Sequence, residues 1–94
     1  MRSDIEIPKK RTTFDFGSVY LSFVTVIVEN ASNEYSLYIR MYCEVWDKKT
    51  EKLLSRWKYD FARIPIDTNI YKLHDEAVYL AVFSWNWEGL IKFF

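Results

Sequence analysis

The sequence predicts a mainly β fold, with an α+β arrangement as the alternative. We expect an antiparallel meander of four or five strands with one short helix, packed as a small sandwich or an open barrel. Half of the 94 residues are hydrophobic and 19% are aromatic, a composition that excludes intrinsic disorder. Apolar and polar residues alternate across the middle of the chain, and the alternating segments bring opposite charges together when they are paired. The length predicts a single domain, 1–94.

The first third of the chain predicts an arm and two strands. Residues 1–11 are polar, and we expect a loose or extended N-terminal arm. A short strand is predicted over 12–16. Residues 19–29 are dense in Val, Ile, Phe and Tyr and are apolar on both faces, which is typical of a central strand covered on both sides.

The middle of the chain predicts a β-hairpin. Residues 35–46 and 53–64 both alternate, and a charged turn separates them. Their odd positions include Tyr35, Trp57 and Tyr59, which we therefore expect on the core side of the sheet.

Charge predicts the register of this hairpin. In the favoured register three pairs attract, whereas a shift of two residues places like charges opposite each other in two pairs. The favoured register pairs Glu44 with Arg56, Arg40 with Asp60, Tyr42 with Lys58, Cys43 with Trp57 and Ile39 with Phe61.

The last third of the chain predicts a helix followed by a strand. Asp67 or Thr68 is the expected cap of a short helix near 68–76. The aromatic and β-branched run over 78–87 favours a buried strand, with a longer helix as the alternative. Residues 90–94 predict an edge strand or a docked tail.

Few residues suggest catalysis. His74, the only histidine, is followed by Asp75 and Glu76, but adjacent side chains point apart on a helix or a strand, and no second His or Cys ligand lies nearby in the sequence. Cys43, the only cysteine, falls on an apolar strand face and suggests a small hydrophobic residue rather than a nucleophile. We therefore expect no enzymatic activity, no metal and no cofactor.

The charge balance and the start of the sequence constrain the partners. The chain carries 13 basic and 13 acidic residues, whereas general nucleic-acid binders have a clear basic excess. We see neither a secretory signal nor a long apolar run. These observations predict a cytoplasmic protein that does not contact a membrane.

Two groups of residues are the candidate binding sites. Basic and aromatic side chains interleave on the even face of the hairpin, and two tryptophans and two phenylalanines lie near the C-terminus. The first group is Tyr38, Arg40, Tyr42, Trp46, Arg56 and Lys58; the second is Trp85, Trp87, Phe93 and Phe94.

This composition fits three interpretations. Tyr, Trp and Arg dominate protein interfaces, the same residues suit base stacking with phosphate contact, and the face can also be covered by residues 77–94. We predict a small protein–protein interaction module, of the accessory or inhibitor type found in viruses and phages, that binds a larger protein. It would also form a homodimer through an edge strand or an aromatic face. Binding of single-stranded nucleic acid is the alternative.

Overall fold

A four-stranded antiparallel sheet and one helix form the part of the fold that the structure describes. The computed structural model describes residues 3–84, with side chains to residue 82. The strand order is β1-β2-β3-β4, which confirms the predicted mainly β meander. Within the described residues the sheet is open and is backed by the helix rather than by a second sheet. The elements are β1 (Glu6–Phe16), β2 (Val19–Val28), a 3₁₀ turn (Glu29–Ala31), β3 (Ser36–Asp47), β4 (Leu53–Pro65) and α1 (Ile70–Ser84).

The first strand is longer than predicted, and the second is central as predicted. Residues 6–11, expected to be loose or extended, are extended and form the first half of β1. A register shift between Pro8 and Lys10 interrupts the pairing of β1 with β2, as expected where proline lies on an edge strand. β2 is buried along almost its whole length, because side chains cover both faces of the sheet there.

The β3–β4 hairpin has the register that charge predicted. All five predicted pairs are observed. The predicted core side is confirmed for Trp57 and Tyr59, which pair with the buried Cys43 and Met41, but both keep more than a third of their surface exposed. Tyr35 was expected there as well, but it lies just before β3 and is exposed. The helix packs towards the β1 side of the sheet, so β4 is only partly covered.

The predicted strand over 78–87 is wrong as far as the structure describes it, because α1 continues without interruption to residue 84. Residues 85–87 lie outside the described part. Leu73, Ala77 and Ala81 repeat at four-residue spacing along α1, and this helical stripe faces the sheet. Val78 and Val82, two of the β-branched residues that suggested a strand, pack against the sheet, and short apolar runs of this kind are buried in helices as well as in strands.

The helix is capped one or two residues later than predicted. Asn69, rather than Asp67 or Thr68, caps it: the Asn69 Oδ1 accepts hydrogen bonds from the backbone N–H groups of Tyr71 (3.1 Å) and Lys72 (3.2 Å). None of the helices described in residues 3–84 is long and apolar enough to cross a membrane.

The core lies between α1 and the sheet. We name the side of the sheet that α1 covers the helix face. Val78 of α1 packs into a cluster of buried side chains on this face. The Phe14 ring packs edge-on against Phe23, with ring centroids 6.0 Å apart, and contacts Phe16 along β1. The buried sheet residues of the helix face are Val19, Leu21, Phe23, Met41, Cys43 and Val45.

Candidate binding surfaces

The opposite side of the sheet carries an ionic network, which we name the charged face. Strand alternation places its residues together. Side chains from β1 reach across β2 to those of β3, so that Val24 and Val26 of β2 lie buried beneath them. The charged face comprises Glu6, Arg11, Ser22, Tyr38, Arg40, Tyr42, Glu44, Trp46, Arg56, Lys58 and Asp60.

Arg40 is buried at the centre of an acidic cluster. Its Nε donates to the Asp60 carboxylate at 2.7 Å, and its Nη1 donates to Asp4 at 2.9 Å and to Glu6 at 3.0 Å. The hydrogen bond from Arg40 lowers the pKa of Asp60 below its usual value. Three carboxylates surround one guanidinium, so this cluster has a net negative charge and Arg40 is not available to an outside anion.

The two tyrosines beside Arg40 are also engaged. Tyr38 donates its hydroxyl hydrogen to Asp60 at 2.8 Å, which raises the pKa of Tyr38. Tyr42 donates to Glu6, and burial is the main cause that raises the pKa of Tyr42. The Arg56 guanidinium lies over the Tyr42 ring, 4.1 Å from its centroid, and it occupies the ring face on which a base would stack.

Glu44 is the second centre of the charged face and is only 2% exposed. Its Oε1 accepts hydrogen bonds from Arg11 Nη1 (3.0 Å) and Trp46 Nε1 (3.2 Å). Its Oε2 accepts from Arg56 Nε (3.1 Å) and lies 2.9 Å from Arg56 Nη2. Arg11 also donates to the Ser22 hydroxyl at 2.6 Å. Here two guanidiniums share one carboxylate, so the local charge is positive.

The structure brings the first group of predicted site residues together but engages most of them internally. Lys58 lies opposite Tyr42 on the same face and is exposed. Ala77 and Val78 pack on the helix face, so this part of 77–94 does not cover the charged face. The second predicted group lies outside the described residues: Trp85, Trp87, Phe93 and Phe94.

A second surface, which the sequence did not reveal, is a groove between α1 and β4. Its volume is about 340 Å³. Tyr59 is 44% exposed and Leu80 is 62% exposed along it, and Glu76 is the acidic residue in its lining. The lining residues are Met41, Tyr59, Phe61, Leu73, Glu76, Ala77, Leu80 and Ala81. The sequence allowed a longer helix through residues 77–81, but because a strand was predicted over 78–87, a groove beside a helix was not expected.

The groove is open because polar contacts hold α1 on the β1–β2 side of the sheet. The fully buried His74 ring lies between two threonines, with Nε2 2.8 Å from Thr12 Oγ1 and Nδ1 2.6 Å from Thr25 Oγ1. Lys10 of β1 donates to Asp75 at 2.7 Å. No sequence pattern predicted these contacts, because they join residues that are far apart along the chain.

The two candidate catalytic residues have structural surroundings. Cys43 is fully buried, and this burial raises the pKa of its thiol to about 12, so the thiol stays protonated at neutral pH. Both His74 nitrogens contact threonine hydroxyls, and burial lowers the pKa of the imidazole. Within residues 3–84 no group of three or more His, Cys, Asp or Glu side chains is placed to hold a metal ion.

Comparison of this chain with protein-family models, with curated proteins and with solved structures gave no match. A proposal for its function therefore rests on the geometry of the groove and of the charged face.

Proposed function

We propose that this chain is a non-enzymatic protein–protein interaction module that binds an apolar segment of a partner protein in the groove between α1 and β4. The supporting observation is the groove itself, which is mostly apolar and, among residues 3–84, open to solvent. Its volume of about 340 Å³ is at the lower end of the range for pockets that hold a ligand. Interface anchors are typically one or two large apolar side chains in a pocket of this kind.

The charge at the groove favours a particular partner sequence. Glu76 lines the groove, and Asp75 and Glu76 both border the adjoining surface of α1. A basic residue next to the apolar anchor would pair with Glu76, and an acidic residue there would be repelled. The expected partner segment therefore has an aromatic or aliphatic anchor flanked by Lys or Arg. An accessory or inhibitor role and a cytoplasmic location remain predictions.

Selection of peptides from a random display library against the immobilised full chain tests this proposal. The selected peptides should share an apolar anchor flanked by a basic residue. Tyr59→Ser should weaken their binding by about tenfold or more, because it removes a groove wall. Tyr35→Ser is the matched control, since Tyr35 is exposed but is not among the residues that line the groove, and should leave binding unchanged. Glu76→Lys should change the preferred flanking residue from basic to acidic.

Three outcomes would overturn the proposed site or the proposed partner. Peptides that bind the Tyr59→Ser and Tyr35→Ser variants equally well would place the binding site elsewhere. A concentration-dependent dimer in light scattering that Tyr59→Ser abolishes would identify a second copy as the occupant. Peptide binding that strengthens when Phe93 and Phe94 are both replaced by Ser would identify the chain's own C-terminal segment.

A further inference from the structure

Around Glu44 the charged face carries more hydrogen-bond donors than the described acceptors there can use. An ionised carboxylate offers about four acceptor positions, and at Glu44 contacts with Arg11, Trp46 and Arg56 fill them. Each guanidinium has about five N–H groups, and most of those on Arg11 and Arg56 have no acceptor within the described residues. Both arginine side chains are about half exposed, at 52% and 49%, so these donors can reach a ligand.

The same arginines are held in place before any ligand arrives. Arg56 is bound to a buried carboxylate through two nitrogens and stacks on the Tyr42 ring. Arg11 is fixed by Glu44 and by Ser22. Because these contacts already restrict both side chains, binding a ligand would cost them less side-chain entropy than it costs a freely solvated arginine. Lys58 adds a third positive charge two residues along β4 on the same face.

We propose that Arg11 and Arg56, organised by Glu44 and assisted by Lys58, form a binding site for a carboxylate group carried by an acidic segment of a partner protein. Guanidinium groups bind carboxylates through paired N–H donors. The site is on the opposite side of the sheet from the groove, so it goes beyond the function proposed above and does not depend on it.

The neighbouring charges decide between a protein and a nucleic acid. At the other end of the charged face Asp4, Glu6 and Asp60 surround Arg40 and leave a net negative charge. A nucleic-acid strand that followed the face would bring its next phosphates against these carboxylates. A short acidic segment contacts the positive end alone, so the charge pattern favours a protein ligand.

Titration of the full chain with capped hexaglutamate at low salt, followed by NMR, tests the proposal. The expected result is saturable shifts of the Arg11 and Arg56 Nε–H signals. Arg56→Lys keeps the positive charge but loses the paired N–H donors of the guanidinium, and it should weaken binding by about fivefold or more. Lys58→Gln, which is outside the Glu44 network, should weaken binding by about twofold or more. Lys72→Gln on α1 is the control with the same loss of charge and should bind as the wild type does.

The remaining outcomes would overturn the proposal. Equal affinity of the wild type and Arg56→Lys, in a variant whose amide spectrum shows that it is folded, would mean that net charge alone attracts the peptide. An equal loss of affinity in Lys58→Gln and Lys72→Gln would mean the same. Tighter binding of hexathymidylate than of hexaglutamate would identify a nucleic-acid surface. Tyr59→Ser should leave hexaglutamate binding unchanged, so failure of this site and failure of the groove are distinguishable.

Discussion

Removing the charge of Glu44 should destabilise the fold more than any comparable change at the surface. Glu44→Gln keeps nearly the same shape but leaves Arg11 and Arg56 without their shared carboxylate. Removing one partner of a fully buried ion pair costs about 3–5 kcal/mol. Because the two arginines are half exposed and water can solvate them, we expect a loss of about 2 kcal/mol in the free energy of unfolding. For a chain of this size, this corresponds to a melting temperature lower by roughly 8–16 °C.

Urea unfolding followed by tryptophan fluorescence measures this loss. Glu29→Gln makes the same chemical change at an exposed position and should alter the free energy of unfolding by less than about 0.5 kcal/mol. In the double variant Glu44→Gln/Arg56→Gln, the effects should be smaller than the sum of the two single ones, because both remove the same contact. A Glu44→Gln protein as stable as the Glu29→Gln control would refute the reasoning.

Three further predictions concern the helix and the core. Burial lowers the pKa of His74 below 6.5, so the unfolded chain binds a proton at a higher pH than the folded chain does. The free energy of unfolding should therefore be fully retained above about pH 6.5 and fall as the pH drops below it. His74→Gln should flatten this dependence in thermal melts from pH 7 to pH 5. Asn69→Ala should lower stability by about 1 kcal/mol in urea unfolding, because it removes the helix cap, whereas Asp67→Ala should have little effect. Iodoacetamide should label Cys43 only as fast as the protein unfolds, and rapid labelling without denaturant would contradict its burial.

The sequence predicted the hairpin well because its signals are local and agree with one another. Alternation gives the faces of both strands, and the pairs Glu44–Arg56 and Arg40–Asp60 select one register. The same reasoning placed Tyr42 and Lys58 side by side on the charged face. It did not predict that Glu6 and Arg11 reach from β1 to complete the two clusters, because residues 1–11 were expected to form an arm and not part of a paired strand.

The error in the C-terminal third has a different cause. Val78, Ala81 and Val82 pack against the sheet from one side of the helix, and a short apolar run fits both a buried strand and a buried helix. The strand prediction gave weight to aromatic and β-branched residues, but tertiary packing outweighs that preference. Placing Ala77 and Ala81 on a helix is also what creates the groove, so the same error concealed the best candidate surface.

One helix can cover only one face of a sheet. The apolar side chains on the other face must be shielded from water in a different way. In the part of the chain that the structure describes, the Arg40 and Glu44 clusters link β1 to β3 across β2, and Val24 and Val26 are buried there without a second layer of structure. Apolar side chains in these positions would often be at least as stabilising as a buried ionic network, but they would expose an adhesive sheet face. We therefore infer that the network serves to keep this face soluble and selective. Its separation into a negative end at Arg40 and a positive end at Glu44 would orient the acidic segment that we propose as its ligand.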